Sequence, residues 1–461
     1  MRIDVVPDDV LLGIFDFYVH VDGGPLYKAK KKIEVWQSLV HVCRRWRNLV
    51  LGSPSRLNLQ LCCTPQTPTR GSLDVWPALP LIINGDMTSS SDMDNVIAAL
   101  GQSNRVREVD LLYLAGWQLE KVLAQMQVPF PELTVLQFLS LDETPPVPNS
   151  FLGGTAPRLR IFALHYNIQF LGLPKLLLSA THLARLELYA IPHSGYFPPE
   201  ALASLLSTLS SLEIIILDFR SPQSHPDWGS RRPPPSIRSV VPALTYFCFK
   251  GVVEYLERLV TFIDAPQLDH MDITFFNQID YNIPQLAQFI SHTPKFWARG
   301  AYVQLGHITA SVSFQYQTSN TSVGDLQINI SCRTPDWQLS SIERVCNSSL
   351  PPLPTVKDLY IERRYSKLAW KDDAVENNMW LELLLPFTAV ENLFLHEEFV
   401  PGIEAALQEL VESRITDSEV LPNLQNIFVE EIKPWRLFQQ FVAARQLSGR
   451  PIAISVWRSN N

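Results

Sequence analysis

Apolar residues recur along most of the chain in one short pattern, which predicts a series of buried strands. The pattern is an apolar residue, two variable residues, a second apolar residue, one variable residue and a third apolar residue. Because residues two apart lie on the same face of a strand, the last two apolar positions predict one buried face. The occurrences are Val106-Val109-Leu111, Leu133-Leu136-Phe138, Leu159-Phe162-Leu164, Leu183-Leu186-Leu188, Leu212-Ile215-Leu217, Leu244-Phe247-Phe249, Leu268-Met271-Ile273, Val356-Leu359-Ile361, Val390-Leu393-Leu395 and Leu424-Ile427-Val429.

Apolar stripes at helical spacing lie between several of these strands, within residues 201–209, 256–263, 286–290 and 405–411. The strand patterns begin roughly 24 to 34 residues apart, inside or just beyond the period of leucine-rich repeats. A unit of one short strand and one helix cannot bury its own apolar face, so neighbouring units must stack. The sequence therefore predicts an irregular leucine-rich-repeat-like α/β solenoid over residues 106–461, after a connecting or first capping segment at 61–105. A doubly wound α/β domain is the alternative.

Two regions depart from the repeated pattern. Residues 221–236 contain three consecutive prolines, which exclude helix and central strand, so we predict an exposed loop there. Residues 300–332 show period-2 alternation without an obvious helix, which predicts strands joined by polar turns. We expect an irregular repeat or a hairpin insertion in this part of the chain, with irregularity over 300–350. Residues 452–457 predict a last strand.

Residues 6–60 have the pattern of a short helical hairpin with more apolar surface than its size can bury. Pro7 suits the first turn of a helix, and Asp8 and Asp9 suit the positive end of a helix dipole. A segment of roughly 55 residues cannot enclose all of its apolar side chains, so we expect part of this surface to face another protein. Those side chains recur at helical spacing at Val10, Leu11, Ile14, Phe15, Trp36, Leu39, Val42, Cys43, Trp46, Leu49 and Val50.

These residues resemble the F-box, whose pattern is an LP-D/E-x-hydrophobic opening, an I-F/L pair one turn later and an L-x-x-V-C-x-x-W segment. The run Val-Cys-Arg-Arg-Trp-Arg at 42–47 is the most specific part. The chain is similar here to the large F-box family of mushroom-forming fungi, including residues 54–59 and 76–80. It departs from the family in Val6, which replaces the usual Leu, and in a longer, lysine-rich loop at about 18–33. The matching positions are Val6-Pro7, Asp9, Leu11, Ile14-Phe15, Leu39, Val42-Cys43, Trp46, Arg47, Leu49-Val50 and Pro54.

The resemblance implies that residues 1–60 are an F-box that docks on the small Skp-type adaptor and, through it, on the cullin and RING subunits of a ubiquitin ligase. The C-terminal array would bind a protein target and hold it near a ubiquitin-charged enzyme. The chain itself would be a non-catalytic receptor, located in the cytoplasm, the nucleus or both. The residues carried over to adaptor docking or its helical support are Pro7, Leu11, Ile14, Phe15, Leu39, Val42, Cys43, Trp46 and Leu49.

The variable strand positions are the candidates for binding the target. In the predicted repeat they alternate with core residues and point outward on the concave face. Charged residues mixed with exposed aromatic ones are typical of protein-recognition surfaces. The alternative is that a neighbouring helix or the chain's own tail covers the aromatic residues. The candidates are His165, Arg185, Tyr189, Tyr246, His270, Tyr360, Phe394 and Phe428, and the charged positions on the same face include Glu187, Glu362 and Glu430.

Composition narrows the class of function. A net charge of −8 argues against a dedicated binder of nucleic acid or of anionic membranes. No apolar run approaches the ~18 residues of a membrane span, and the first residues lack the pattern of a secretory signal. The cysteines form no C-x-x-C pair and no zinc-ligand spacing with histidine, which favours free thiols in a reducing compartment. The sequence contains no motif for catalysis, for a metal or for a cofactor.

Two other classes of protein remain compatible with the sequence. One is a repeat scaffold that binds protein without any ligase, in which the hairpin caps the array or forms an N-terminal core. The other is a hydrolase or transferase on an α/β fold. Such an enzyme would need a cleft with convergent polar groups and shifted pKa values.

Overall fold

The fold is mixed α/β with a large, mostly parallel sheet, as seen in a computed structural model. The chain divides into two compact units, Met1–Tyr196 and Phe197–Asn461. The described strands do not close into a barrel. Most of the predicted loop at 221–236 lies outside the described residues. These are 6–20, 35–66, 69–88, 93–140, 142, 146–166, 168–170, 175–222, 238–277, 281–293, 295–296, 299–306, 308–315, 325–332, 335–348, 350, 352–363, 377–412, 420–430 and 438–457.

The first unit begins with three helices and continues as a parallel sheet. Its strands neighbour one another in chain order from the first to the sixth, and the described pairs are parallel. The segment 61–105 therefore contributes two strands to this sheet. The elements are α1 (Asp8–His20), α2 (Val35–Val40), α3 (Arg44–Gly52), β1 (Leu61–Cys63), α4 (Thr69–Val75), β2 (Leu81–Asp86), α5 (Met93–Leu100), β3 (Val106–Leu114), α6 (Gly116–Gln125), β4 (Val135–Ser140), β5 (Ile161–Tyr166) and β6 (Arg185–Ile191), with 3₁₀ turns at Phe151–Gly154, Lys175–Ser179 and His193–Gly195.

The second unit alternates strands and helices through most of its length. Its elements are α7 (Pro199–Leu206), β7 (Ile214–Phe219), β8 (Ser239–Val240), β9 (Tyr246–Gly251), α8 (Val253–Val260), β10 (Ile263–Asp264), β11 (His270–Phe276), α9 (Pro284–Ser291), β12 (Gly300–Leu305), β13 (Thr309–Gln315), β14 (Asp325–Ser331), α10 (Pro335–Asn347), β15 (Asp358–Arg363), α11 (Asn377–Leu384), β16 (Asn392–Leu395), α12 (Val400–Glu412), β17 (Asn426–Glu430), α13 (Gln439–Leu447) and β18 (Ala453–Trp457). Strands β8 and β10 pair with each other in a separate small sheet. The predicted last strand at 452–457 is confirmed by β18.

The irregular region at 300–332 is an antiparallel insertion in an otherwise parallel sheet. Strands β12, β13 and β14 form a meander, with β13 antiparallel to both of its neighbours. At the two borders, β14 pairs in parallel with β11, and β12 pairs in parallel with β15. The sequence-based prediction of strands without a helix is confirmed here. An odd number of strands restores the parallel direction, so β15 to β18 continue in the same sense as β11.

Alternating burial shows that several strands bury one face and leave the other partly exposed. In β4, β9, β11 and β17 every second residue is buried and the residues between them remain partly exposed. The predicted apolar positions supply the buried face, as with Leu136, Phe247 and Ile427. Helix α8 packs against β9, and α10 packs against β12, β13 and β14. Each fully buried large apolar side chain contributes about 1.5–3 kcal/mol, so this face holds the core.

Consecutive helices of the second unit are joined by carboxylates that cap the next helix. The Glu257 carboxylate of α8 accepts hydrogen bonds from the backbone N–H groups of Gln285 and Leu286 at 3.1 and 2.8 Å. The Glu404 carboxylate of α12 accepts one from the Phe438 N–H, at the start of α13, at 2.6 Å. The first N–H groups of a helix have no partner within the helix and favour a negative charge. These contacts fix α9 against α8 and α13 against α12.

Candidate protein-recognition surfaces

The first helix begins where the sequence predicts. The Leu11 N–H donates to the Pro7 carbonyl oxygen at 3.0 Å, and Asp8 and Asp9 lie in the first turn. Proline costs no hydrogen bond at this place, and the two carboxylates are stabilised by the helix dipole. Both parts of this local prediction are confirmed.

The Val-Cys-Arg-Arg-Trp-Arg run joins α3 to α1. The Cys43 Sγ caps α3 by accepting a hydrogen bond from the Trp46 N–H at 3.5 Å. The Trp46 ring packs edge-on against Phe15, with ring centroids 4.7 Å apart. Arg45 Nε donates to Asp8 Oδ1 at 3.0 Å, and its Nη2 donates to the Val6 carbonyl oxygen at 2.5 Å. The residues that define the sequence motif therefore hold the helices of the hairpin together.

Helix α1 has one buried apolar side and one exposed apolar side. Leu11 and Phe15 are only 2% and 1% exposed. On the other side Val10 is 47% exposed, Ile14 52% and Phe17 73%. Residues three or four apart lie on the same side of a helix, so these three side chains form a continuous apolar strip. Such a strip on a small domain is typical of a protein-interaction site.

The second helix of the hairpin, α2, fixes the hairpin to the rest of the first unit. Trp36 Nε1 donates to the Gln60 carbonyl oxygen at 3.0 Å, and the Trp36 ring lies 5.1 Å from that of Trp76. The residues predicted to dock the adaptor differ from one another in how far they are exposed to solvent. Leu11, Phe15 and Leu39 are buried, Trp46 and Leu49 are half-buried, and Pro7, Ile14, Val42 and Cys43 are exposed.

In the second unit, the uncovered face of β15, β16 and β17 has matching side chains in register. Its first row is polar. Asn426 Nδ2 donates to Asn392 Oδ1 at 2.8 Å, and Asn392 Nδ2 donates to Asp358 Oδ1 at 2.6 Å. The same register brings side chains two positions further along the strands into a second row.

The second row is a stack of four aromatic rings, which we call the aromatic ladder: Tyr302, Tyr360, Phe394 and Phe428. Successive ring centroids are 4.4, 4.2 and 4.5 Å apart, and successive planes differ by 7°, 9° and 8°. Parallel in-register pairing places the rings one strand spacing apart, which allows them to stack face to face. The ladder brings together three of the predicted target-binding residues and one residue, Tyr302, that the sequence analysis did not select.

The C-terminal strand partly covers the aromatic ladder. The Trp457 ring lies edge-on to Phe394 and Tyr360, with centroid distances of 5.4 and 6.0 Å. All four rings of the ladder remain half-buried. The C-terminal part of the chain therefore contacts two of the predicted target-binding residues, Tyr360 and Phe394, as the alternative given in the sequence analysis expected. The buried Trp457 Nε1 has no hydrogen-bond partner among the described residues, which is an unfavourable arrangement for a donor.

A third row, of carboxylate, amide and imidazole groups, borders the ladder. Gln304 Nε2 donates to Glu362 Oε2 at 3.5 Å, and His396 Nε2 lies 3.6 Å from Glu430 Oε2. Burial is the largest influence on Glu362 and raises the pKa of its carboxyl group, with Glu430 adding to the effect. Burial likewise raises the pKa of Tyr360 to about 12, so both tyrosines of the ladder are neutral at physiological pH.

The other predicted target-binding residues form two separate groups. Tyr246 and His270 are neighbours in register on β9 and β11, with ring centroids 6.2 Å apart. In the first unit, the His165 ring stacks on Tyr189 at 4.6 Å, and His165 and Arg185 both contact the Glu187 carboxylate.

Glu187 departs from the prediction that it is an exposed residue of this face, because it is only 1% exposed. Arg185 contacts its carboxylate and compensates its charge, and His165 contacts the same carboxylate. Burial, the largest influence, lowers the pKa of His165, although Glu187 opposes this effect.

The first unit contains a cavity lined largely by arginine side chains. A cavity of about 370 Å³ in the first unit is lined by Arg105, Arg107 and Arg158 together with Glu132. Arg158 is paired with Glu132, and Arg105 donates to the carbonyl oxygens of residues 77 and 79. Within the described ranges no group of His, Cys, Asp or Glu side chains is arranged to hold a metal ion. Nor does any helix in this part of the chain have the length and apolar character needed to cross a bilayer.

No family model matches the chain, and no curated protein matches it significantly. The functional argument therefore rests on the surfaces described above.

Proposed function

We propose that the chain is the substrate-recognition subunit of a Skp-cullin-F-box ubiquitin ligase. In this proposal, helices α1 to α3 form the F-box and dock on a Skp-type adaptor that is bound to cullin and RING subunits. The strand-and-helix array binds a protein target. The observation that supports this most directly is the exposed strip of Val10, Ile14 and Phe17 on a helix whose opposite side is already buried. Covering those side chains with a second protein would remove them from water and lower the free energy of the complex.

The array would be an irregular leucine-rich-repeat-like solenoid. Strands follow chain order within each unit, apart from the β12–β14 insertion, whereas a doubly wound sheet reverses its strand order. One face of the strands is covered by helices and the other presents rows of matching side chains. Both properties are expected of stacked repeats, and the uncovered face is the surface on which such repeats bind partners.

The proposed receptor works through proximity and not through bond chemistry. Binding a target on the array and an adaptor on the hairpin places the target in the same complex as the ubiquitin-charged enzyme. The transfer then proceeds at an effective concentration that free diffusion does not supply. No residue of this chain needs to act as an acid, base or nucleophile in that scheme.

The test is adaptor binding by an Ile14→Asp variant of the full chain. Ile14 is 52% exposed, so the fold should tolerate the change, whereas a charge inside the interface should weaken binding by at least about 100-fold. Leu178→Asp, at an exposed leucine elsewhere in the first unit, is the matched control and should bind like the unmodified chain. Affinity for a purified Skp-type adaptor is measured by calorimetry, and folding by circular dichroism. Unchanged binding by a folded Ile14→Asp protein would refute the proposal.

A protein-binding scaffold without a ligase is the second candidate. It is favoured by the contacts of Trp36 with Gln60 and Trp76, which fix the hairpin to the beginning of the sheet as a cap would be fixed. This candidate predicts no affinity for the adaptor at micromolar concentration. It also predicts that Trp36→Ala lowers the hydrogen-exchange protection of β1 as well as that of the hairpin.

A further inference from the structure

We infer that the cavity of the first unit, which is lined by Arg105, Arg107 and Arg158, binds a phosphoryl group. The group is either free phosphate or one carried by a side chain of another protein, and both present the same chemistry to the cavity. The inference goes beyond the proposed ligase role and does not depend on it, because it concerns neither the exposed strip of α1 nor the aromatic ladder.

The cavity lies where three strands of the first sheet begin. Pro80, Arg105 and Thr134 each lie directly before a strand, in front of β2, β3 and β4, and all three line the cavity. Its volume is about 370 Å³, whereas one water molecule takes up about 30 Å³ of the liquid. The cavity therefore has room for a phosphoryl group and for the atoms that carry it.

Arg105 is held in place by uncharged groups. Its Nε donates to the Leu79 carbonyl oxygen at 3.1 Å, and its Nη2 donates to the Pro77 carbonyl oxygen at 3.3 Å. Carbonyl oxygens accept these hydrogen bonds without cancelling the positive charge. Burial, the largest influence, lowers the pKa of this guanidinium group, and the Cys63 thiol opposes the effect. Arg105 is thus a fixed, partly desolvated cation with which an incoming anion can pair.

Arg107 is a second cation with an uncharged hydrogen-bond partner. Its Nη1 donates to Asn58 Oδ1 at 3.3 Å. The pairing of β2 with β3 skips Arg107, because the register shifts between Leu81 and Ile82. Such an extra residue in a strand pair changes the direction of its side chain. The N–H and the hydroxyl group of Thr134 both donate to the Arg107 carbonyl oxygen, at 2.7 and 3.0 Å, so the backbone at this place is fixed.

The charges that line the cavity do not cancel. Arg158 is paired with Glu132, and the described lining contains no further carboxylate. Glu108 follows Arg107 in the chain but lies outside the lining, and burial raises its pKa although Arg107 opposes this effect. Three guanidinium groups and one carboxylate leave an excess of two positive charges, in a chain whose net charge is −8.

This excess matches a phosphoryl group better than a carboxylate. A phosphate monoester carries a charge of about −1.5 to −2 at pH 7 and offers three acceptor oxygens. Guanidinium groups present their N–H donors in a fixed fork that suits phosphate oxygens, and Asn104 adds a neutral polar group to the lining. A carboxylate brings a single charge and would leave part of the positive charge unpaired.

The experiment uses the full chain and follows binding by ³¹P NMR, since a phosphorus signal broadens when its molecule binds to a large protein. The probes are inorganic phosphate and N-acetyl-phosphoserine amide, titrated at pH 7 and at constant ionic strength. We expect saturable binding of at least one probe, with a Kd of about 1 mM. Tighter binding of inorganic phosphate would identify a site for the free ion, and tighter binding of the amide would identify a site for a protein-borne group. N-acetyl-aspartate amide should displace either probe about tenfold less effectively.

Three variants, each checked for folding by circular dichroism, make the result specific. Arg107→Gln should weaken binding about tenfold, because one charged donor is lost. Glu132→Gln should tighten binding about threefold, because Arg158 loses the carboxylate that competes with the ligand, and loss of the fold cannot imitate such a gain. Arg160→Gln is the matched control, because Arg160 is an exposed arginine directly before β5 that does not line the cavity. It should change the affinity by less than about twofold.

Four results would each overturn the inference. They are no saturable binding of either probe, equal displacement by the aspartate amide, equal losses in Arg107→Gln and Arg160→Gln, and a Glu132→Gln protein that binds no more tightly than the unmodified chain.

Discussion

The N-terminal hairpin and the aromatic ladder both place large apolar side chains outside the core, but those of the hairpin are exposed and those of the ladder are packed against one another. On α1, the exposed strip of Val10, Ile14 and Phe17 has no cover in the described structure. In the ladder, the rings cover one another, and Trp457 lies across two of them. The hairpin thus offers apolar area to a partner, whereas the ladder offers half-buried rings and bordering carboxylates.

This difference indicates different kinds of binding. Burial of a wide apolar strip is driven by the hydrophobic effect, which grows with area and selects little between partners of similar shape. Stacking and charge pairing depend on geometry and on salt, and they discriminate between similar side chains. A receptor with one constant partner and one selected partner would need both kinds of surface. The following four predictions test the contrast, from the largest expected effect to the smallest.

The two sides of α1 should differ most in stability. Phe15→Ala should destabilise the hairpin by about 3 kcal/mol, since the ring is 1% exposed and packs on Trp46. Phe17→Ala, at a ring that is 73% exposed, should change stability by less than about 0.5 kcal/mol. Hydrogen exchange of the α1 and α3 amides measures both variants. Similar losses in the two variants would mean that the exposed strip is not free, and the contrast with the ladder would fail.

The ladder should behave as a coupled set of rings. Phe394→Ala removes two stacking contacts and the contact with Trp457, and should destabilise the second unit by about 2 kcal/mol. A double-mutant cycle with Tyr360→Ala should give a coupling energy of about 1 kcal/mol. Denaturant unfolding of the four proteins provides the measurement. A coupling near zero would show that the rings are neighbours without stabilising one another.

The ion pair of the hairpin should have a smaller effect that depends on salt. Asp8→Asn removes the charge that Arg45 contacts at 3.0 Å and should cost about 0.5 kcal/mol at low ionic strength. The loss should disappear near 1 M salt, where exposed charges are screened. Asp9→Asn is the matched control, because it changes the same first turn without this ion pair. Equal salt-dependent losses in both variants would assign the effect to the helix dipole instead.

The smallest effect concerns the pH dependence of Glu362. Burial raises the pKa of this carboxyl group in the folded protein, so the folded state binds its proton more tightly than the unfolded state. Its contribution to stability is therefore present below the unfolded pKa and is lost as the pH rises. At pH 7, Glu362→Gln should stabilise the second unit by a few tenths of a kcal/mol, and the gain should vanish below about pH 4.

Thermal unfolding of both proteins across pH 4–8 tests this. A Glu362→Gln protein that is less stable than the unmodified one at pH 7 would contradict the prediction that the buried carboxylate destabilises the folded state at this pH.

The sequence predicted the elements better than it predicted the partners of their side chains. The positions of Leu136, Phe247 and Ile427 in the apolar pattern were enough to place buried strands, because alternation on a half-covered sheet is a local property. Period-2 alternation at 300–332 likewise gave the antiparallel strands β12 to β14. Each of these predictions depends on residues that are close in the chain.

The ladder depends on residues that are far apart in the chain, and there the prediction was incomplete. Tyr302 was not selected because it lies in the irregular insertion, and its partner Tyr360 is reached only through the pairing of β12 with β15. The burial of Glu187 was missed for a similar reason, since His165 contacts its carboxylate from a neighbouring strand while Arg185 of its own strand compensates its charge. The helical spacing of the hairpin residues shows that they form an apolar stripe. Only the packing of α1 shows that Phe15 is buried and that Ile14 is exposed.

The regular spacing of the ladder has a consequence for how this protein can change over evolution. The amides and carboxylate of the first row, from Asp358 to Asn392 to Asn426, are each 34 residues apart in the chain. Duplication of one such segment within the gene would insert one further strand and helix, one further ring and one further polar side chain, all in register. The recognition surface could then lengthen by one strand spacing in a single genetic step, while the stacking of the older rings would be preserved. A family built in this way would diversify its targets by the number of its segments as well as by the residues in them.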